Sequence, residues 1–483
     1  MANTSTFFWY DLETTSINPR EGRIMQFAGQ QTDMGLTPVG EPVNVLIRLT
    51  DDILPEPDAI LITGITPQAT LAEGISEAEF LKLFYEQISV PGTIFAGYNS
   101  VRFDDEFMRY MNYRNFYDAY QWQWKDGRSR WDLLDVVRMT RALRPDGIEW
   151  PFGPDGKPSN RLELLTSLNK LDHKSAHDAL SDVYATIAVA KLIHDKQPKL
   201  FDWLLSVRGK KEVAGVVDTG QPFVYTSGRY SGEFEKTTVA VKLAGSVGRP
   251  GALVYDLRHD PSEFIDMNPA QLAERMAWTK DETAPKRLPV KLLRYNTCPA
   301  VAPLGVLDAE SQKRLQLDLK EIESNRAKLH GATDFMDNLQ KAFELKDKKY
   351  QTSAIVDPQT VDSLLYDGFF DSFDSNLMAD VAGTKPADLG DLGDKFRDDR
   401  LKQLLPLYKA RNFSKSLTSE ERAAWEDFRA HRLLDGGQAS RAVKYMSRLV
   451  ELKATNKDDQ KGYLLEELQL YAESIMPTEI DLN

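Results

Sequence analysis

The pattern of apolar and polar positions divides the 483-residue chain into three textures. Residues 1–197 alternate strand-like and helix-like segments. Thr6–Leu12 is aromatic and β-rich, Thr93–Ala96 is a short apolar run, and Trp131–Leu143 and Ala176–His194 have helical periodicity. Such alternation predicts an α/β domain built on a sheet. Residues 198–350 are less regular. Pro222–Thr226, Thr237–Leu243, Gly251–Leu257 and Pro289–Tyr295 are short, β-branched or aromatic, and separated by Gly and Pro. They predict a small β-barrel-like domain with helical insertions, one near Asn268–Lys280. From about 357 to 476 the texture is helical: Leu364, Leu365, Phe369 and Phe370 sit at helical spacing, as do the apolar positions of Leu401–Tyr408 and Tyr463–Ile475. Lys346–Pro358 reads as the linker before this region.

Length and composition narrow the class. At roughly 100–200 residues per domain, two to four domains are expected. With 42% hydrophobic and 28% charged residues, the chain has the composition of an ordinary globular protein. It holds no run of eighteen apolar residues, and Met1–Thr6 leads straight into a strand, so neither a membrane span nor a secretory signal is expected. The single cysteine, Cys298, has no partner for a disulfide or a thiolate zinc site, which fits a cytoplasmic location. The net charge of −13 argues against a nucleic-acid partner at first sight. Its distribution does not. Residues 205–294 contain fourteen Lys and Arg against eleven Asp and Glu, a balance of +3 that leaves −16 elsewhere. An acidic protein can still present a basic groove, with salt-sensitive affinity.

Three acidic signals carry the chemistry. In Phe8-Trp-Tyr-Asp-Leu-Glu13, the two-residue period of a strand projects Asp11 and Glu13 from one face. Adjacent carboxylates among bulky aromatics are costly unless a cation neutralises them. The plain alternative is a strand end entering an acidic turn. In Ala96-Gly-Tyr-Asn-Ser-Val-Arg-Phe-Asp104, a strand meets a turn and then a helix whose buried stripe is Phe103, Phe107, Tyr110 and Met111. Asp104 falls in its first turn, where the helix dipole alone would favour it, and Asp105 and Glu106 are read as serving that dipole. The third signal is His177-Asp-Ala-Leu-Ser-Asp182. Positions five apart lie about 140° apart on a helix, so His177 and Asp182 converge only if His177 precedes the helix. A lone histidine there is more often structural.

Taken together and in this order, the five residues resemble the DEDD exonuclease pattern, in its branch with histidine four residues before the last aspartate. The resemblance implies a ribonuclease H-like α/β exonuclease domain using two divalent cations, Mg²⁺ or a substituting Mn²⁺. It places Asp11 on both ions, Glu13 and Asp182 on one, and Asp104 largely through water. His177 would accept a proton from the attacking water near neutral pH. The expected product is a nucleoside 5′-monophosphate.

Between Tyr110 and Trp131, eight of twenty-two residues are aromatic (Tyr110, Tyr113, Phe116, Tyr117, Tyr120, Trp122, Trp124 and Trp131), with Arg109, Arg114, Lys125, Arg128 and Arg130 interleaved. Stacking on bases favours a single-stranded substrate, because duplex bases are not available to stack. About half of these rings are expected to be core instead.

The segments Asn99–Glu106, Tyr113–Asp118, Ser129–Asp135, Ala176–Ala179 and Asp182–Ile187, with Tyr366–Phe370 and Tyr408–Phe413, closely resemble the bacterial exodeoxyribonuclease I family over essentially the whole chain. The resemblance implies three domains: the exonuclease domain at 1–197, an SH3-like β-rich domain at 198–350, and an all-α C-terminal domain at 357–483. It implies processive 3′→5′ digestion of single-stranded DNA held in a clamp, in repair and recombination. It carries the DNA contacts onto Arg109, Tyr120, Trp124, Arg138 and Arg161, with Glu13 also touching the terminal nucleotide. Arg161 reads equally well as a surface charge at a helix start. The family also binds the acidic C-terminal tail of single-stranded DNA-binding protein; Arg144 is the candidate here, though a plain surface role suits it too. A monomer near the nucleoid is expected. The competing readings are a related ribonuclease or proofreading exonuclease, which would leave some 280 residues unexplained, and a silent nucleic-acid-binding protein. There is no Walker-type loop to support an ATPase or helicase.

Overall fold

A computed structural model describes residues 5–171, 178–246, 250–277, 285–353 and 360–477, without the side chains of 347–353. The chain divides into two compact units. The first comprises Met1–Arg128, Lys174–Tyr184 and Pro358–Asn483, the second Ser129–His173 and Ala185–Asp357.

In the first unit the central strand is β1 (Thr6–Thr14), with β2 (Ile24–Thr32) antiparallel to it and β3 (Val43–Leu46) outside β2. Strand β4 (Thr93–Gly97) runs parallel to β1 on its other side, pairing Trp9 with Ala96. The alternation in β1 determines its two faces. Phe8, Tyr10 and Leu12 enter a core shared with Phe27, Phe80, Phe84, Phe95, Phe107 and Trp122, and each such buried large side chain contributes about 1.5–3 kcal/mol. Asp11 and Glu13 take the opposite parity.

The C-terminal part of this unit is helical, with long helices at Asp399–Asn412, Ser419–Leu434, Arg441–Thr455 and Asp459–Ile475. Thr418 and Glu421 form a capping box at the start of the second. These helices share cores with the N-terminal part. Tyr113 and Phe116 pack with Leu401, Leu404 and Tyr408, and Met25, Leu49 and Ile60 pack with Tyr445, Leu449 and Leu468. One expected helix is absent. Leu364 and Leu365 lie in a 3-10 segment, Val361–Tyr366, and Gly368 then takes a φ of 152° that L side chains rarely adopt. The chain turns there, so Phe369 and Phe370 continue no helix.

In the second unit, β5 (Ser129–Asp132) leads into the helix Leu133–Leu143, whose first turn Asp132 caps through the Leu134 amide. Trp131 is thus in a strand, not in the helix the periodicity predicts. Strands β6 (Phe223–Thr226), β7 (Thr237–Gly245), β8 (Gly251–Asp256), β9 (Val290–Arg294) and β10 (Ala300–Pro303) form an antiparallel sheet of order β10-β6-β7-β8-β9. The helical insertion is Pro269–Arg275, started by an Asn268–Gln271 capping box. Two helices that the irregular texture hides follow, Leu319–Gly331 and Thr333–Ser353, the second running into the expected linker. Among the described residues no helix is long and apolar enough to cross a membrane.

Candidate active site

The site forms at the C-terminal end of β1. Parallel pairing with β4 brings the end of that strand to the same edge, and a tight turn follows. Gly97 is required there: a Cβ would lie 2.7 Å from the Ser100 Cβ and 2.9 Å from the Tyr10 carbonyl oxygen. Asn99 takes a left-handed φ of 67°, which its short polar side chain tolerates. The helix Asp104–Arg114 then begins with Asp104 buried in its first turn. A second helix, Ala179–Lys196, delivers Asp182 in its first turn. Asp178 caps it, accepting from the Ser181 amide at 3.1 Å.

Asp11, Glu13 and Asp182 converge, each offering a carboxylate oxygen within 4.8 Å of the others. Asp104 is not a member of that triplet. Burial pushes the Glu13 carboxyl up to about 9, with Asp11, Asp182 and Asp178 adding repulsion. Burial likewise raises Asp11 well above the usual carboxylate range, and Asp182 and Asp178 push it further. Three oxygen ligands held together against their own repulsion suit hard divalent cations, so the residues present fit such a group. His177 lies outside the described residues.

Asp105 and Glu106 lie in the first turn of that helix, as expected, and each also makes a specific bond. The Tyr10 hydroxyl donates to Asp105 at 2.5 Å, and the Tyr366 hydroxyl donates to Glu106 at 2.5 Å. Arg109 pairs with Glu106, donates to Gln123 at 2.9 Å, and lies 5.6 Å from the Tyr120 ring centre. Of the eight aromatics, Tyr110, Tyr113, Phe116, Trp122 and Trp131 are buried, whereas Trp124 is 63% exposed.

In the second unit, Arg138 is bonded to Asp135 at 2.7 Å and mostly buried. Arg161 stands at the start of the helix Leu162–Leu168 with its side chain 74% exposed, the placement of a helix-start charge. Arg144 reaches Asp308 at 3.1 Å and the Val306 carbonyl at 2.7 Å. The sequence reading gave no role to Asp178, Tyr10 or Tyr366. Asp178 was legible as a cap three residues before Ser181; the two tyrosines carry no local signal.

The triplet, with Glu13 buried and Asp11 and Asp182 partly buried, lies within residues 8–190, which the family model described as Exonuclease matches. Models described as Exonuclease I SH3-like domain and Exonuclease I C-terminal domain match residues 208–345 and 359–475. The chain is 39% identical to exodeoxyribonuclease I of Haemophilus influenzae over 98% of its own length and 99% of the relative's. It is similar to the crystal structure of Escherichia coli exonuclease I in complex with a dA16 oligonucleotide, with a TM-score of 0.91 and 37% identity over 98% of this chain and 100% of that one. A zinc-bound form of the E. coli enzyme with single-stranded DNA is similar at a TM-score of 0.90 and 36% identity, over 98% and 100% of the two chains. The chain belongs to the exodeoxyribonuclease I family.

Proposed function

We propose that this enzyme degrades single-stranded DNA processively from its 3′ end, releasing nucleoside 5′-monophosphates in DNA repair and recombination. The observation that carries the reading is the convergence of Asp11, Glu13 and Asp182 within 4.8 Å in an exonuclease domain.

Asp11, Glu13 and Asp182 would hold two Mg²⁺ ions, with Asp104 acting largely through water and Mn²⁺ able to substitute. When bound, these ions screen the anionic phosphodiester and stabilise the charge on the attacking and leaving oxygens. His177 takes the proton from the attacking water, a task suited to an imidazole near neutral pH. Trp124, exposed, and Tyr120, half-buried beneath Arg109, offer faces to unstacked bases. Arg109, Arg138 and Arg161 bind backbone phosphates, and Glu13 also touches the terminal nucleotide. The protein acts as a monomer in the cytoplasm, near the nucleoid. It docks the acidic C-terminal tail of single-stranded DNA-binding protein with Arg144, whose side chain is one-third exposed.

Matched single-stranded DNA, duplex DNA and RNA oligomers test the substrate. The reading expects rapid Mg²⁺-dependent loss of the single-stranded DNA alone. Equal digestion of RNA would reassign the substrate class.

A further inference from the structure

The loop between β1 and β2 starts two residues after Glu13, and the register of the β1–β2 pair shifts between Glu13 and Thr14. Its base is closed by a reciprocal pair of bonds. The Thr15 amide donates to the Arg23 carbonyl at 2.9 Å, and the Arg23 amide donates to the Thr15 hydroxyl at 2.8 Å. Beside this base the chain is folded tightly at Gly22, where a Cβ would lie 2.6 Å from the Ser16 hydroxyl and 2.9 Å from the Phe107 ring. One flank is not packed. Ser16, Asn18 and Glu21 line a cavity of about 340 Å³, whose other walls include Lys444 and Tyr445. A loop flanked by space depends on the few bonds that reach across to it.

One comes from the N-terminal part, the Glu56 amide donating to the Thr15 carbonyl at 2.8 Å; the side-chain ion pairs at Arg23 and Glu21 reach the helical C-terminal part of the same unit. The Arg23 guanidinium donates to the Glu21 and Gly22 carbonyls at 2.9 and 3.1 Å and to Asp362 at 2.9 Å. Asp362 is wholly buried and receives Arg411 through both oxygens, each at 2.8 Å. Arg411 also donates to buried Asp52 at 2.8 Å, and Arg432 to the Asp52 carbonyl at 3.0 Å. At the outer end Glu21 is ion-paired with Arg441. Three guanidiniums and two carboxylates have therefore been taken out of water around this loop. Their desolvation makes the cluster weak evidence for stability, but its directed, largely buried bonds define one geometry.

We propose that Asp362, Arg411 and Arg441 are positioning residues for the nuclease site, latching the Thr15–Arg23 loop and so fixing the strand end that carries Asp11 and Glu13. The C-terminal region on this view serves the chemistry itself as well as DNA binding. The proposal rests on the carboxylates being the cation site described above. A strand end released by the loop would still present both carboxylates, but without a fixed spacing. Cation affinity and turnover would fall, while contacts with DNA elsewhere would keep KM.

The outer pair tests this without burying a lone charge, since Glu21 and Arg441 are both partly exposed. Full-length E21R, R441E and the double exchange are compared for kcat, KM on a single-stranded oligomer, the Mg²⁺ concentration at half-maximal rate, and thermal melting. Each single variant is expected to lose about 10- to 100-fold in kcat and to need about tenfold more Mg²⁺. KM should not rise, melting should stay cooperative, and the double exchange should recover most of both losses. Single variants with wild-type kcat and Mg²⁺ requirement would overturn the latch, as would losses that the double exchange leaves unchanged in a folded protein. Asp362→Asn, examined by the same measurements, should reproduce the raised Mg²⁺ requirement wherever it folds; a folded variant with the normal requirement would also overturn the latch. A wild-type protein that releases no mononucleotides would instead refute the reading of the carboxylate site.

Discussion

The Tyr10 hydroxyl donates a 2.5 Å hydrogen bond to Asp105, 95 residues further along the chain, tying the strand that carries Asp11 to the helix that carries Asp104. Both residues are buried. Tyr10→Phe leaves the Asp105 carboxylate without this donor, at a cost of about 1–3 kcal/mol in stability. If the bond also sets the distance between strand and helix, kcat should fall about tenfold or more with little change in KM. Urea denaturation and steady-state kinetics on the same preparation check both. Unchanged kcat at reduced stability would confine the bond to folding.

Without a cation, the carboxylates should oppose folding in a pH-dependent way. Glu13 is raised from an ordinary value near 4.5 to about 9. A raised carboxyl pKa means the folded state binds the proton more tightly than the unfolded chain. The contribution is therefore fully present below about 4.5 and lost as pH climbs toward 9. In EDTA, the melting temperature should fall more between pH 5 and pH 9 for the wild type than for Glu13→Gln. Saturating Mg²⁺ should remove most of the difference. Parallel slopes in EDTA would contradict the repulsion seen in the cluster.

Trp124 makes the opposite kind of prediction, since it is 63% exposed. Trp124→Ala should leave melting within a degree or two, because little apolar surface is lost from the interior. Loss of one stacking partner is worth about 1–3 kcal/mol, or roughly 5- to 150-fold in Kd for single-stranded DNA. Fluorescence anisotropy with a labelled oligomer in an Asp11→Asn background measures it. Binding equal to that of the background would remove Trp124 from the DNA path.

Arg411 should be among the costliest positions to neutralise. Arg411→Met leaves Asp52 and Asp362, both wholly buried, with one fewer cation each. Breaking a buried pair in this way costs about 3–5 kcal/mol. The wild-type cluster should hold in mild acid. Burial opposes the charge on Asp52, but Arg411 and Arg432 outweigh it and lower the carboxyl to about 2. The stability this provides is present above an ordinary value of 3.8 and fades as pH falls toward 2. Denaturant midpoints from pH 6 to pH 2, wild type against variant, should converge at the acid end.

Local pattern was legible where a single element decides the outcome. The parity of Phe8, Tyr10 and Leu12 against Asp11 and Glu13 follows from the strand period, and β1 bears it out. The short β-branched runs at Phe223–Thr226 and Gly251–Asp256 likewise became strands. Tertiary decisions were not legible. Leu364, Leu365, Phe369 and Phe370 have helical spacing, yet Gly368 turns the chain between them and leaves Phe369 93% exposed. The helix Thr333–Ser353 was hidden because its apolar positions are diluted by Lys, Asp and Gln. In the site, Asp11, Glu13 and Asp182 were recoverable from spacing and order. The bonds made by Tyr10, Tyr366 and Asp362 join residues up to 339 positions apart, and no local pattern encodes such partners.

End-labelled substrate separates digestion from the 3′ end from every other polarity. A long single-stranded DNA labelled at its 5′ end, and the same strand labelled at its 3′ end, are digested with Mg²⁺, with EDTA, and with Asp11→Ala in excess Mg²⁺. Labelled mononucleotide should be released immediately from the 3′-labelled strand. The 5′ label should stay on long DNA until the strand is nearly consumed, and neither label should be released with EDTA or the variant. Early release of the 5′ label, or turnover by the variant when Mg²⁺ is raised, would contradict 3′-end digestion at the Asp11 site.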